Sequence, residues 1–310
     1  MALNYAQVWT PDLLEIMEQE SLTSPFVTTA VKWLSTKTFH FTQMSTSGYK
    51  AHSRLGGWNK GTFAQTDVPF TLTHDRDISF LVDKIDVDET NKTASIKNIS
   101  EVFHKTQQIP EMDAYFYSKV ATEAQKLTGY HSSTALSSYT KENVYGKLKA
   151  MLSAGKLRRY VAKGALIAYV NSTIMDLLEQ STDFTRKIEM TQIAEGGIGI
   201  ETRITDIDGV TLIEVIDDER FYDKFDFTDG FVPVASTSHK INVLIASPLT
   251  VKTVPKIASI YYFNPGQHTE GDGYLYQDRS LSDTFVFPNG KDNKIDSIYV
   301  DVDTETYTAE

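Results

Sequence analysis

The sequence predicts an α+β fold, and three observations carry that prediction. A long amphipathic helix is written into residues 109 to 127, and an alternating strand precedes it at 78 to 83. From His239 onward the chain is β-branched and aromatic, broken by turn signals.

The helix is the clearest of these elements. Ile109, Met112, Phe116, Val120, Ala124 and Leu127 recur at spacings of three and four, which lines one face with apolar side chains. Pro110 suits a first helical position because its missing N–H would be unpaired there, and Glu111 and Asp113 place negative charge at the positive end of the dipole. Gly129 is expected to close the helix in the left-handed conformation. At ~1.5 Å per residue, Glu111 to Leu127 spans roughly 25 Å. Ile78, Phe80 and Val82 alternate with Ser79, Leu81 and Asp83, the period of a half-buried strand. The apolar face of the helix is expected to pack on that sheet.

Taken from the start, the chain opens with a predicted short helix: Thr10 as N-cap, Pro11 in the first turn, and Leu13, Leu14 and Met17 on one face. Such a helix either packs on its own domain or reaches a neighbour. Residues 39 to 73 are rich in Thr, Ser and Gly, with isolated aromatics and few large aliphatics, so they cannot form a core alone. The Gly56-Gly57 pair marks a turn between two arms of about 13 residues, which at ~3.3 Å per residue makes a ribbon about 40 Å long. That ribbon lies along its own subunit, projects to a partner, or serves as an unstructured lid.

The polar stretch 131 to 140 is a connector. Thr140 then caps a helix through Val144, Leu148 and Leu152 that ends at Gly155. GALIAYV (164 to 170) reads as a buried strand, and Ser172 caps a helix carrying Ile174, Leu177 and Leu178. GIGIETRI and VTLIEVI form strands around an Asp208-Gly209 hairpin turn. From His239 the strands turn at Asn264-Pro265-Gly266 and Pro288-Asn289-Gly290. This long return needs a sheet already begun, and residues 78 to 87 are its candidate, giving a discontinuous unit built from about 75 to 130 and 240 to 302.

Composition narrows the function. The 310 residues suffice for two compact units, and 41% hydrophobic content is that of a globular protein. No apolar run approaches the ~20 residues of a membrane span, and the N-terminus lacks a basic region followed by an apolar one. The absence of cysteine excludes disulfides, thiolate metal sites and thiol nucleophiles, and a reducing cytoplasm suits such a chain. A net charge of −11 argues against direct wrapping of nucleic acid, and the one basic cluster, Lys156-Leu157-Arg158-Arg159, is short. The sequons at Asn91, Asn98 and Asn171 are incidental without a secretory signal.

No catalytic constellation is present. Gly56 and Gly61 have P-loop spacing, but Thr62 stands where the phosphate-binding Lys belongs. GGIGIE (196 to 201) lacks the last glycine of a dinucleotide fingerprint, and the seven histidines are scattered. Asp83, Asp86, Asp88 and Glu89 lack the central glycine and closing glutamate of a calcium loop, so they are read as a solvated face, as are Asp217, Asp218, Glu219 and Asp223. No metal, cofactor or catalytic residue is assigned.

The run DRDISFLVDKIDVDETN, followed by a helix opening IPEMDAYFYSKVA, resembles the peripheral domain of tailed-phage major capsid proteins of the Hong Kong 97 fold. IDGVTLIEVIDDERF resembles the axial-domain strands of that family, and NPGQ with a tyrosine-rich strand and the ending KDNKIDSIYV resembles its C-terminal pattern, here interrupted by HTEGDG. The resemblance implies an N-terminal arm (1–38), an extended β-hairpin loop (39–74), a peripheral domain with the long spine helix (75–135), an axial domain (136–239), and a second peripheral part with a C-terminal tail (240–310). It further implies assembly contacts to an adjacent subunit at Arg54, Leu55, Gly56, Gly57, Trp58 and Phe63, and at the Asp75-Arg76 pair. Lys50 and Lys60 are not assigned to a crosslink, which only some relatives form.

The implied function is a non-enzymatic shell protein that self-assembles through pentamers and hexamers into an icosahedral head around double-stranded DNA. Its implied partners are itself, a portal, and a separate scaffold or none, with no membrane and no sequence-specific DNA contact. Its implied location is the virion, after assembly in the cytoplasm of a bacterial host. An encapsulin-like cellular shell and a small-oligomer binding module are the alternatives.

Overall fold

The helix announced by Pro110 turns out to begin well before it. The computed structural model describes residues 19–29, 33, 35, 37–52, 56, 58–85, 96–181, 188–191, 202–289 and 294–308. Helical backbone runs unbroken from residue 96 to residue 125: α1 (Ile96–Phe103), a wide π turn (His104–Gln108) and α2, the spine helix (Ile109–Gln125). The wide turn explains why the proline is tolerated. In regular α-geometry Pro110 would press its ring on the carbonyl four residues back and leave that carbonyl without a donor. Here Ile109 instead donates to the carbonyl of His104, five residues back. Gly129 closes the run at φ +83°, as expected.

The strands in chain order are β1 (Thr38–Thr46), β2 (Phe63–Thr71), β3 (His74–Asp83), β4 (His131–Ser133), β5 (Ile167–Asn171), β6 (Ile188–Thr191), β7 (Thr202–Ile207), β8 (Val210–Val215), β9 (Phe225–Asp226), β10 (Val232–Pro233), β11 (His239–Ala246), β12 (Val251–Phe263), β13 (Gly273–Val286) and β14 (Ile298–Thr306). Helices α3 (Val144–Leu152), α4 (Arg158–Val161) and α5 (Ser172–Gln180) fall between β4 and β6. The sheets are a ribbon of β1 and β2, a three-stranded antiparallel sheet in the order β12-β13-β3, a small β9–β10 pair, and a mixed seven-stranded sheet in the order β4-β14-β11-β5-β8-β7-β6. The β7–β8 connection is the predicted hairpin, with Asp208 at φ 53° and Gly209 at φ 80°, both positive as a type I′ turn requires.

Two sequence expectations are corrected here. The C-terminal return does not all join the sheet begun by Ile78: β12 and β13 do, whereas β11 and β14 enter the seven-stranded sheet beside β5. The reason is legible in burial. From Ile241 to Ala246, β11 is buried at every residue, the mark of a central strand covered on both faces, whereas β3 alternates along its whole length.

The spine stripe also packs elsewhere. Phe116, Val120 and Ala124 lie on Tyr169, Ile213, Val215, Ile241, Leu244 and Val300 of the seven-stranded sheet, and Met112, placed in the stripe by spacing, is exposed. The inner face of β3 is taken by α1, whose Phe103 meets Phe80 at 5.4 Å. The spine helix therefore has one sheet on each side, and residues 113–118 are all buried. Across the seven-stranded sheet, α3, α4 and α5 cover the opposite face through Leu148, Tyr160, Ile174 and Leu178.

The predicted helix at 10 to 17 and residues Asp86, Asp88 and Glu89 lie outside the described residues. Beyond that helix, the segment 19–29 packs on its own subunit, with Phe26 buried against Phe116 at 4.7 Å.

Candidate functional site

Strands β1 and β2 pair in register from Thr38–Thr71 at the root to Thr46–Phe63 at the far end. Linkage continues past the strands, where Ser47 N donates to the Thr62 carbonyl (2.8 Å) and Asn59 Nδ2 to the Ala51 carbonyl (2.8 Å). Nine-residue strands at ~3.3 Å per residue give about 30 Å of ladder, and the further links bring it close to the predicted length.

Its two ends differ in kind. At the root, Phe39 is buried among Phe70, Phe285 and Phe287 with ring centroids 5.2 to 6.3 Å away, and Leu72, Val254 and Leu281 complete the cluster. At the tip Trp58 is 95% exposed and Phe63 76% exposed. Burying an aromatic ring is worth about 1.5–3 kcal/mol, so the tip leaves that gain unrealised within the free chain. Gly56 is exposed in the turn, and Arg54, Leu55 and Gly57 lie outside the described residues.

Asp75 and Arg76, the adjacent pair at the start of β3, are both engaged within the subunit. Asp75 receives Lys37 Nζ at 3.0 Å and both Nε (3.1 Å) and Nη2 (3.0 Å) of Arg279, so it joins the ribbon root to β13. These two cations, Arg279 first, hold the Asp75 carboxyl at about 2, below its ordinary 3.8. Arg76 points to the other face. Its Nε meets Glu111 Oε1 at 2.6 Å and its Nη2 meets Oε2 at 3.2 Å, while the guanidinium also donates to the carbonyls of Phe227 and Gly230 (3.3 Å). A planar fork is needed to serve all four acceptors. Sequence reading missed Lys37 and Arg279, because nothing local in a sequence marks partners 38 and 204 positions away.

Behind this root lies a buried polar junction. Asp283 on β13 accepts from Thr73 N (2.9 Å), Thr73 Oγ1 (2.8 Å), Tyr115 Oη (2.8 Å) and Thr284 N (2.8 Å). Burial and this carboxylate push the Tyr115 hydroxyl well above its usual range, so it remains a donor. Deeper still, Arg220 and Asp113 are both buried and 3.2 Å apart. Asp113 also accepts from Thr23 Oγ1 (2.6 Å), Ser21 Oγ (3.0 Å) and Leu22 N (3.2 Å), which fastens segment 19–23 to the spine helix. Burial raises the Asp113 carboxyl, and Arg220 with these donors pulls it back.

These arrangements tie separate elements of one subunit together. Among the described residues no group of three or more His, Asp or Glu side chains is placed to hold a metal, and no helix is long and apolar enough to cross a membrane. The acids near residue 217 are spent on ion pairs and hydrogen bonds: Asp217 with Arg220, Asp218 with Lys240, and Asp223 with His239 N (2.7 Å) and Gln125 Nε2 (2.8 Å).

No family model and no curated protein matches the sequence. Solved structures do. The asymmetric unit of the bacteriophage PhiM1 mature capsid aligns with TM-score 0.64 at 12% identity, covering 97% of this chain and 92% of the other. The capsid of cyanophage P-SCSP1u aligns at 0.60 and 10% identity over 98% and 94%, and that of Ralstonia phage GP4 at 0.59 and 9% identity over 99% and 96%. This is a phage capsid fold. The alignments span nearly the whole of this chain and most of each capsid chain.

Proposed function

We propose that the chain is the major capsid protein of a tailed phage, a structural subunit of the Hong Kong 97 kind that assembles through pentamers and hexamers into a shell around double-stranded DNA. The observation that carries this reading is the end-to-end correspondence with capsid chains, ribbon included. The ribbon supports it independently, because a two-stranded arm with a bare Trp58 at its tip and a buried Phe39 at its root is built to be anchored on one subunit and covered by another. In this reading Trp58 and Phe63 make the contact with the neighbour, and Asp75 and Arg76 set the angle at which the ribbon leaves its own subunit. The division into arm, loop, peripheral and axial parts follows the same reading, with β11 and β14 assigned to the axial sheet.

Electron microscopy and light scattering of the purified protein test it. Capsomers or closed shells are expected. A stable species of 34.8 kDa at every ionic strength would overturn the proposal. Particles that enclose a protein cargo and no DNA would replace the phage head by a cellular shell.

A further inference from the structure

Strands β3 and β13 turn three facing pairs towards α1: Arg76 with Ser280, Ile78 with Asp278 and Phe80 with Tyr276. Between these pairs, the helical run 103–112 and the β9–β10 turn at 228–230 lies a cleft of about 610 Å³. Asp278 stands on its floor. It is 6% exposed, its Oδ2 accepts from Tyr276 Oη at 3.2 Å, its Oδ1 accepts nothing, and it has no salt-bridge partner among the described residues. Burial, and then Asp278, push the Tyr276 hydroxyl up to about 12, so it stays a donor. Of the other charges inside, Arg76 and Glu111 are engaged with each other, and Asp229 in the β9–β10 turn is exposed without a salt-bridge partner among the described residues. The cleft thus keeps a buried carboxylate that no cation of its own subunit meets, an arrangement that is costly until one arrives.

The walls fit the same kind of ligand. Phe80 meets Phe103 at 5.4 Å and Tyr276 at 6.2 Å between ring centroids, and Met112 on the helical wall is 38% exposed. A carboxylate beside aromatic faces holds an ammonium or guanidinium both by charge and by the ring quadrupole, and the thioether of Met112 is a soft partner for a further ring. The cleft is therefore suited to a basic side chain with an aromatic one next to it.

One segment of the chain carries that chemistry. From 38 to 66 there is no Asp or Glu, in a protein whose net charge is −11, and the ribbon tip brings Lys50, Arg54 and Lys60. Trp58 is bare there, and Lys60, two residues on, is exposed with no salt-bridge partner among the described residues. The basic residues on α3 and α4 have no exposed aromatic beside them. The tip cannot fold back into the cleft of its own chain, because that cleft opens at the ribbon's root beside His74 and about 30 Å of paired ladder separates the two. We infer that the cleft between α1 and β3 receives the ribbon tip of a second copy of this chain, with Lys60 against Asp278 and Trp58 against Phe103 and Met112. This rests on the shell reading and names the place where the ribbon lands. Tip into root cleft is a heterologous contact, and its repetition closes a ring.

The chain has no cysteine, so introduced thiols report the contact directly. Ser280 lines the cleft and Ala51 is exposed at the tip. In particles carrying both Ser280→Cys and Ala51→Cys, a short bis-maleimide should link subunits into a ladder on a denaturing gel, and neither single variant should give more than dimers. A second measurement separates this contact from a role inside the subunit. Asp278→Asn keeps an acceptor for Tyr276 and removes an uncompensated buried charge, so the free subunit should melt at or above the parent's temperature. Sedimentation should nevertheless show it needing at least about tenfold more protein to assemble, as should Lys60→Ala, and the two together should cost little more than either alone because they remove the two ends of one contact. The docking is overturned if particles form but the paired thiols link nothing or link only within single chains. It is equally overturned if Asp278→Asn assembles like the parent, or if it melts well below the parent, which would make Asp278 a part of the subunit's own core. A parent chain that never assembles would remove the shell reading itself, and the docking with it.

Discussion

The hydroxyl of Tyr115 on the spine helix and the carboxylate of Asp283 on β13 meet at 2.8 Å, and the same carboxylate holds both the backbone N and the hydroxyl of Thr73 at the foot of the ribbon. Three elements distant in sequence thus share one buried acceptor. Asp283→Ala would leave these donors without a partner in a site that is 2% exposed, so a loss of about 3 kcal/mol in unfolding free energy is expected. Urea titration of the free subunit measures it. A change under ~1 kcal/mol would mean that water replaces the carboxylate.

The ribbon should show opposite responses at its two ends. Phe39→Ala empties a place 1% exposed among three other phenylalanines and should cost about 3–5 kcal/mol. Trp58→Ala, at a position 95% exposed, should leave the melting of the free subunit unchanged and impair shell formation. Trypsin should cut after Lys50 or Lys60 quickly in free subunits and slowly in shells, because a covered backbone cannot enter the protease. Equal cleavage rates in the two states would place the ribbon outside the assembly contacts.

The buried pair of Arg220 and Asp113 should behave asymmetrically. Removing one member, as in Asp113→Ala, takes the Nη1 partner from a guanidinium that is 1% exposed and leaves it Asp217 and the Gln19 carbonyl, which should cost about 2–3 kcal/mol. It also removes the acceptor for Ser21, Leu22 and Thr23. Hydrogen exchange at residues 19–23 should therefore rise more than at β11, and a uniform rise would show that segment 19–23 is held by Phe26 alone.

Acid should loosen the ribbon root. Because the Asp75 carboxyl is depressed from 3.8 to about 2 in the folded chain, its contribution is complete above pH ~3.8 and is lost as the pH falls towards 2. Its partners Arg279 and Lys37 are about half exposed, so the contribution is small and weakens with salt. Asp75→Asn should flatten the low-pH limb of the stability curve and leave neutral stability little changed. An identical acid limb in the variant would exclude Asp75 as a contributor.

What could be seen in the sequence was local. The Asp208-Gly209 turn, the alternation of β3, the glycine at 129 and the ribbon around Gly56 each depend on neighbours within a few residues, and each appears where periodicity or turn chemistry puts it. What stayed hidden was the choice among distant partners. Spacing placed Met112 in the apolar stripe, but the helix rotates Phe116 and Val120 onto the larger sheet and leaves Met112 at the surface. Asp113 read as a helix-start charge, and its actual role emerges only when Arg220 arrives from more than one hundred positions away. The exposure of Trp58 was legible because an aromatic in a polar ribbon has nothing local to pack on.

The wide turn at His104–Gln108 offsets the phase of α1 from that of the spine helix. Each residue of an α-helix advances the spiral by about 100° and 1.5 Å, so tightening this turn to the ordinary pitch would rotate α1 by about one residue's step while α2 stayed locked by Asp113 and Tyr115. Phe103 would then turn away from Phe80, and a different face of α1 would meet β3.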